Sequence, residues 1–191
     1  MNKILFGGGS FWCMEPAFAA LRGVDDVVPG YAGGTVPNPS REVVQTGLTG
    51  HVEVVQITYQ PQEIALSLLL RAFFHLHEPT APPTVGEAGR QFSSVIYCTT
   101  EKQHEQVRLW LKVAARRYEK PLQTQLGFLQ EGQFWLAEPQ ELQYFFRHGQ
   151  EDKYCIEHVR PVLRHFVRDF WSHLHIPADK RLDNPLLSGH S

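Results

Sequence analysis

Residues 4–15 read Ile4-Leu5-Phe6-Gly7-Gly8-Gly9-Ser10-Phe11-Trp12-Cys13-Met14-Glu15, and this stretch decides the fold. A short apolar run is followed by three glycines, after which Phe11, Met14, Phe18 and Leu21 recur at helical spacing. Ser10 stands where a helix N-cap is expected, because its hydroxyl can accept a hydrogen bond from a free amide of the first turn. The sequence therefore predicts a strand, a glycine turn and a helix, in this order.

Strand and helix patterns alternate along the rest of the chain. Val52–Tyr59 is predicted as a strand in which Glu53, Val55 and Ile57 share one face. Glycines and prolines predict irregular loops over 31–50 and 77–89. We also predict helices over 61–75, 101–119, 140–148 and 158–171, a strand over 94–98, and a hairpin or two short strands over 122–129 and 133–136.

This order of elements predicts an α+β fold, a two-layer sandwich in which helices pack on a mixed sheet. The chain of 191 residues has about the length of one domain. We therefore assign residues 1–176 to a single α+β domain and residues 177–191 to a C-terminal tail.

The composition argues against several classes of protein. Eighteen Lys and Arg stand against twenty Asp and Glu, and the net charge of −2 gives no electrostatic basis for binding nucleic acid or an anionic membrane. The most apolar stretch, 64–74, is shorter than the roughly 20 residues that cross a bilayer. Three cysteines are too few for a secreted disulfide scaffold, so we expect a reducing, cytoplasmic location. We also expect a monomer.

Ser10 is the most informative single residue. A helix N-terminus stabilises an anion, so a cysteine at this position would have a lowered thiol pKa and would act as a nucleophile. A serine hydroxyl does not ionise usefully at neutral pH. Taken alone, the window is explained most simply by a capping serine on a tight turn.

Short motifs follow the window around Ser10 in a fixed order. They are Gly30-Tyr31-Ala32-Gly33-Gly34, Asn38-Pro39, Thr49-Gly50-His51-Val52-Glu53-Val54-Val55, Tyr59-Gln60-Pro61, His77-Glu78-Pro79-Thr80, Gly89-Arg90-Gln91-Phe92-Ser93-Ser94, Ala137-Glu138 and Tyr154-Cys155. Together with that window they resemble the peptide methionine sulfoxide reductases of the A class, whose signature is a glycine run followed by Cys-Phe-Trp. The resemblance covers nearly the whole chain and implies a ferredoxin-like core.

The resemblance also implies a reaction. In the family the first cysteine attacks the sulfoxide sulfur, methionine leaves, and a second cysteine clears the sulfenic acid, giving a disulfide that thioredoxin reduces. By position, Ser10 occupies the nucleophile site, and Glu53 is the acid that protonates the sulfoxide oxygen. Phe11 and Trp12 would form the apolar pocket for the methyl group. We therefore expect reduction of methionine-(S)-sulfoxide, peptide-bound or free, with thioredoxin or dithiothreitol as external reductant and no bound cofactor or metal.

Three positions depart from the family's pattern. Glu87 replaces an aspartate, and Phe92 replaces a tyrosine whose hydroxyl binds the sulfoxide oxygen in the family. A further active-site tyrosine of the family falls on Arg41. We assign all three residues to substrate binding. Arg41 and Glu87 either pair with each other or recognise a charged substrate, and both alternatives stay open.

Two cysteines are candidates for the second thiol of the reaction. Cys13 lies one helical turn after Ser10, and Cys155 matches the family's recycling cysteine. We favour Cys155, because a disulfide between positions 10 and 13 requires local unwinding of the helix. Cys98 lies inside an apolar strand pattern and is expected to be a buried, inert thiol.

Two hypotheses remain for the serine at position 10. In the first, the protein is a reductase whose nucleophile has been replaced by serine, and this form is inactive. In the second, serine is native and the chain is a catalytically silent or diverged sulfoxide-binding relative, or one in which Cys13 has taken over the chemistry. A serine hydrolase is disfavoured, because no glycine follows two residues after Ser10.

Overall fold

The computed structural model describes residues 1–82, 89–129 and 132–175. Its described strands form one mixed six-stranded sheet in the order β5-β4-β1-β3-β2-β6. All neighbouring pairs are antiparallel except β4 and β5, which are parallel. The α+β class is confirmed. The strands are β1 (Asn2–Gly7), β2 (Val24–Ala32), β3 (Val52–Tyr59), β4 (Val95–Cys98), β5 (Gln125–Phe128) and β6 (Phe134–Leu136).

Helices cover one face of this sheet and meet a large apolar core there. This core includes Ile4 and Phe6 of β1 together with Phe73 and Phe166 from two of the helices. A smaller cluster, which includes Leu5 of β1, lies on the opposite face. The helices are α1 (Phe11–Ala19), α2 (Arg41–Gln45), α3 (Leu66–Leu76), α4 (Glu101–Ala114), α5 (Tyr144–His148) and α6 (Arg160–Phe170), with a π-helix over Cys155–Val159 before α6.

The predicted strand, glycine turn and helix are present at the start of the chain. β1 ends at Gly7 and α1 begins at Phe11. Gly9 has φ +97°, a conformation that side chains with a Cβ rarely adopt. Ser10 is the N-cap of α1, and its Oγ accepts a hydrogen bond from the Trp12 amide at 3.2 Å. The turn therefore delivers residue 10 directly to the helix N-terminus.

The predicted alternation in β3 is also present. Val55 and Ile57 belong to the core beneath the helices, whereas Val52 and Val54 belong to the cluster on the other face. Since side chains alternate along a strand, Glu53 points to the helical side, where it is completely buried. The strand therefore carries a carboxyl group under the start of α1.

Of the two alternatives predicted for 122–129 and 133–136, two short strands are present, and the hairpin is absent because β5 and β6 lie at opposite edges of the sheet. Two other predictions about the elements were wrong. The predicted loop over 31–50 contains the short helix α2, and β2 precedes it as a full-length strand. The third helix begins at Leu66 rather than Pro61, because residues 61–63 form a turn. Glu87 and the predicted tail 177–191 lie outside the described residues.

Within the described parts of the chain, no helix has the length and apolar character needed to span a membrane.

Candidate active site

Ser10 and Glu53 meet at the first amides of α1. The Ser10 side chain is buried and accepts from the Trp12 amide, whereas Glu53 Oε2 accepts from the Phe11 amide at 3.2 Å. These are amides that a helix leaves without an intrahelical partner. The helix N-terminus thus holds two oxygen atoms side by side, one from the expected nucleophile position and one from the expected acid.

Burial controls the ionisation of Glu53. Removal from water raises its pKa to about 7, although the Arg41 guanidinium and the Phe11 amide favour the charged form. The neighbouring carboxylate of Glu141 raises the pKa further, and the Ser10 hydroxyl lowers it. A carboxyl group with a pKa near neutrality can donate a proton at physiological pH, which a general acid requires.

Trp12 is covered on both faces of its ring. Tyr144 stacks on one face with ring centroids 3.8 Å apart, and the Arg41 guanidinium lies 4.1 Å from the ring centroid. The indole Nε1 donates to Glu141 Oε2 at 3.0 Å. Phe11 is completely buried against Tyr31. The two aromatics are therefore not an open pocket, because the side chain of Arg41 occupies the remaining face of Trp12.

Arg41 is held by contacts from several directions. Its backbone amide donates to Glu138 Oε1 at 2.8 Å, and Ser40 caps the short helix α2 that it begins. Its Nε lies 3.3 Å from Glu141 Oε2 and 4.0 Å from Glu53 Oε1. Arg41 therefore faces acidic partners within the site itself.

Three residues of this network carried no predicted role. The sequence marks Glu138 only as part of the Ala137-Glu138 motif, and its Oε2 accepts from the Tyr31 hydroxyl at 3.1 Å. Glu141 and Tyr144 come from the segment that leads into α5, and no sequence pattern singled them out. Glu15 fixes this segment, since its buried carboxylate accepts from the Gln143 amide at 2.9 Å. The site therefore depends on a segment far from Ser10 in the chain.

Phe92 lies next to the glycine turn without a polar contribution from its side chain. It ends a 3-10 helix over Arg90–Phe92, is half-buried, and accepts from the Gly9 amide through its backbone carbonyl at 3.1 Å. His51 is a structural hydrogen-bonder: its Nδ1 accepts from Gly34 and its Nε2 contacts the Val36 carbonyl at 2.7 Å. Both residues therefore make hydrogen bonds that hold neighbouring backbone segments in place.

The described cysteines are all free and buried. Burial raises the pKa of Cys13 to about 12, and the nearby Cys155 contributes to the shift. Burial and the hydrogen bond to Asp152 raise the pKa of Cys155 to about 12 as well. Its amide also donates to Asp152 Oδ1 at 2.8 Å. Cys98 is completely buried in β4, with its pKa likewise raised to about 12. None of these thiols is ionised at neutral pH.

Residues 1–82, 89–129 and 132–175 contain no cluster of three His, Cys, Asp or Glu side chains arranged to hold a metal ion. Two pairs of histidines, His75/His77 and His173/His175, are each separated by one residue in the sequence, a spacing that metal ligands can have. In the structure they make other contacts or lie at helix ends. His77, for example, contacts the Phe73 carbonyl and the Ser94 hydroxyl.

The mixed sheet carries a candidate site at the N-terminus of α1, where a buried carboxyl with a pKa near neutrality lies beside Ser10 in this α+β protein. The chain belongs to the peptide methionine sulfoxide reductase family, whose model matches residues 2–175.

Individual relatives agree with this membership. "Peptide methionine sulfoxide reductase MsrA" of Thermus thermophilus is 42% identical over 166 residues, which are 86% of this chain and 93% of that protein. The protein of the same name from Sulfolobus acidocaldarius is 37% identical, over 89% of this chain and 96% of its own length. Among solved structures, methionine sulfoxide reductase A of Corynebacterium diphtheriae is 27% identical with a TM-score of 0.71, covering 76% of this chain and 74% of that chain. Reduced Mxr1 from Saccharomyces cerevisiae shares the fold at 22% identity and a TM-score of 0.71, covering 82% and 90%.

Proposed function

We propose that this chain is a thiol-dependent methionine-(S)-sulfoxide reductase in which residue 10 is the nucleophile position and the Ser10 form is inactive. The observation that carries the proposal is the meeting of Ser10 and Glu53 at the N-terminus of α1. A nucleophile there attacks sulfur while a neutral carboxyl beside it protonates the leaving oxygen. Proton donation to the oxygen is needed because an oxide ion is a poor leaving group at neutral pH.

The reaction balances when residue 10 is a cysteine. The thiol sulfur bonds to the substrate sulfur while Glu53 protonates the sulfoxide oxygen, and the proton of the thiol returns to Glu53. The oxygen then passes from the substrate sulfur to the cysteine sulfur as the sulfur–sulfur bond breaks, which gives methionine and a cysteine sulfenic acid. The two electrons that reduce the substrate come from the thiol. A second thiol then attacks the sulfenic sulfur, water leaves, and a disulfide forms.

Cys155 is proposed as the second thiol, with Cys13 as the alternative. Both lie next to the aromatic cluster around Trp12, since Tyr154 contacts that ring edge-on at 5.9 Å and immediately precedes Cys155. Since Cys155 is buried at the start of a π-helix, we expect the Cys155–Val159 turn to move when Cys155 attacks a sulfenic acid at residue 10. Disulfide geometry demands Cα atoms within about 7 Å.

The external reductant is proposed to be thioredoxin, with dithiothreitol as a substitute. Mxr1 from Saccharomyces cerevisiae, which shares the fold, has been solved in complex with Trx2. Methionine sulfoxide, in proteins or as a small molecule, is the proposed substrate, and no bound cofactor is needed because the thiols carry the electrons. We further propose a cytoplasmic monomer.

Residues 1–176 are proposed to form one catalytic domain with a ferredoxin-like core, followed by the tail 177–191. The support for the core is its connectivity. Its central strands run β4-β1-β3-β2, and the helices α1 and α3 lie in the two crossovers. Two interleaved strand-helix-strand units of this kind are typical of ferredoxin-like folds.

Ser10→Cys tests the proposal directly. We expect this variant to convert methionine-(S)-sulfoxide to methionine with dithiothreitol, and not the (R) epimer, as measured by chromatography of the products. Thr100→Cys is the matched control, because Thr100 is the N-cap of α4 and its side chain accepts from the Gln103 amide. A thiol at that helix N-terminus has no Glu53 beside it and is expected to be inactive. Absence of turnover in Ser10→Cys would refute the proposal.

The role of Cys155 is tested in the same background. Ser10→Cys combined with Cys155→Ser is expected to form about one methionine per protein molecule without reductant and then to stall with a thioredoxin system. Combination with Cys13→Ser is expected to leave thioredoxin-driven turnover intact. If instead the Cys13→Ser combination stalls and the Cys155→Ser combination turns over, the second thiol is Cys13.

A diverged sulfoxide-binding relative is the second candidate function. Two observations favour it: residue 10 carries no thiol, and Arg41 covers the face of Trp12 expected to receive the methyl group. Under this alternative, Ser10→Cys binds sulfoxide without turning it over, or prefers a different substrate. The codon at position 10 of the natural gene separates a native serine from a replaced nucleophile.

A further inference from the structure

Two buried polar atoms in the site have no hydrogen-bond partner. Among the buried side-chain nitrogens and oxygens of the described residues, Arg41 Nε and Glu53 Oε1 alone are left unpaired. They belong to neighbouring side chains and lie 4.0 Å apart. An unpaired buried polar atom is costly and rare in folded proteins, and it needs an explanation such as a missing ligand atom.

The neighbouring polar atoms of the site have hydrogen-bond partners, so the two unpaired atoms mark one specific place where a partner is absent. The second oxygen of Glu53 accepts from the Phe11 amide, and Glu141 Oε2 accepts from the Trp12 indole. Glu141 Oε2 also lies 3.3 Å from Arg41 Nε, but this contact lacks hydrogen-bond geometry and leaves Nε without an acceptor. Both orphaned atoms therefore remain available to a third group.

The chemistry of the pair selects an acceptor oxygen. A guanidinium is always protonated, so Arg41 Nε–H is a donor, and the neutral form of Glu53 offers an O–H at Oε1. One oxygen can lie about 2.9 Å from both atoms when these are 4.0 Å apart. Two donors that converge on one point suit an oxygen with two lone pairs.

The charge balance favours a neutral ligand. The carboxylate of Glu141 sits beside Arg41, and Glu138 accepts from the Arg41 backbone amide. A carboxylate or sulfonate ligand would add a further negative charge to these two, whereas a sulfoxide brings only a polarised S–O bond. The place between the two unpaired atoms therefore fits the oxygen of an uncharged sulfoxide.

We propose that Arg41 Nε–H and the protonated Glu53 carboxyl together bind the sulfoxide oxygen, so that Arg41 is a substrate-binding residue in place of a tyrosine hydroxyl. The inference rests on the proposed function. The Arg41 side chain is 21% exposed and lies between solvent and the fully buried Glu53. Entry of the oxygen therefore requires the guanidinium to shift outward along the Trp12 face, which weakens the cation–π contact between them.

Binding measurements on the Ser10 protein test this role without turnover. The ligands are N-acetyl-methionine-(S)-sulfoxide methylamide and the matching sulfide, which lacks only the oxygen, titrated by isothermal calorimetry. Arg41→Met keeps a long apolar side chain but removes the donor. We expect the sulfoxide to bind about tenfold more weakly to this variant, with the sulfide unchanged within about twofold. Arg108→Met removes an exposed arginine of α4 and is the matched control, expected to change neither affinity.

The pH dependence provides a readout that a structural role would not move. Glu53 faces titratable or polar groups from several elements, and its own pKa is raised to about 7. These groups are the Arg41 guanidinium, the Glu141 carboxylate, the Ser10 hydroxyl and the phenols of Tyr31 and Tyr154. Sulfoxide affinity is expected to fall as the pH rises through this range. Glu53→Gln places an amide N–H at the position of Oε1, so we expect its sulfoxide affinity to be retained and independent of pH there.

The outcomes distinguish a failure of the proposed role of Arg41 from a failure of the proposed function. If the parent protein binds the sulfoxide and Arg41→Met binds it equally well, or loses sulfoxide and sulfide alike, the role of Arg41 is refuted and the proposed function stands. If Glu53→Gln keeps the pH dependence of the parent, the shared oxygen site is refuted. If the parent binds neither ligand and Ser10→Cys is inactive, the proposed function fails, and this inference fails with it.

Discussion

The burial of Glu53 predicts an unusual dependence of stability on pH. Glu53→Gln removes the charge and leaves the local hydrogen bond, because the amide oxygen can accept from the Phe11 amide as Oε2 does. The substitution is also nearly equal in volume. The difference between parent and variant in how the free energy of unfolding changes from acidic to alkaline conditions therefore reports the ionisation of this one carboxyl.

The magnitude follows from the raised pKa. The folded protein holds the Glu53 pKa at about 7, whereas the ordinary value is 4.5. Below pH 4.5 both states are protonated, so Glu53 contributes nothing to the pH dependence. As the pH rises from 4.5 to about 7, the unfolded chain ionises first and the parent loses stability, by about 1.4 kcal/mol per unit and about 3 kcal/mol in total.

Urea unfolding of parent and variant at about pH 5 and about pH 8 measures this effect. We expect the stability of Glu53→Gln relative to the parent to increase by about 2.5 kcal/mol between the two conditions. Glu63→Gln is the matched control, since Glu63 is exposed on the turn before α3 and the same substitution there should give no such difference. The prediction fails if the difference in stability between parent and variant is the same at both pH values, or if the parent becomes more stable relative to the variant as the pH rises. Either result would show that burial does not raise the pKa of Glu53.

Two further predictions concern the thiols and the loop after β2. The three buried cysteines should react with dithionitrobenzoate at about pH 8 at least tenfold more slowly in the native protein than in urea, and rapid native labelling would contradict their burial and raised pKa values. Gly33→Ala should lower the free energy of unfolding by about 2 kcal/mol or more, because Gly33 has φ +83° and a Cβ there would meet the Tyr97 hydroxyl. Gly132→Ala, with φ +80° but open space, should cost less in the same urea titration, and equal costs would show that the clash is unimportant.

The first elements of the fold were predictable because their signals are local. A glycine at φ +97° and a capping serine define the turn into α1 by backbone geometry alone. Strand β2 was missed because Asp25, Asp26, Pro29 and Gly30 interrupt its apolar pattern. Pairing with β3 on one side and β6 on the other keeps it extended. Long-range pairing of this kind outweighs local propensity, and it also separates β5 from β6.

The site was predictable only where a motif marked it. Ser10, Glu53 and Trp12 could be assigned because short ordered motifs contain them. The contacts of Arg41 could not, since they depend on Glu138 and Glu141, which β6 and the following segment bring from the other end of the chain. Equally, the raised pKa values of Glu53 and the thiols come from three-dimensional burial, which spacing along the sequence does not reveal.

The serine at residue 10 and the position of Arg41 concern different parts of the proposed reaction. Ser10 still caps α1 and still accepts from the Trp12 amide, so the serine preserves the backbone that holds Glu53. What the serine lacks is the source of two electrons, because a hydroxyl oxygen cannot form the sulfenic acid. Arg41, in contrast, is proposed to supply one of the groups that bind the substrate oxygen. Binding by the Ser10 protein and turnover by Ser10→Cys therefore test separate properties, and a protein that binds a sulfoxide without reducing it lacks the nucleophile rather than the site.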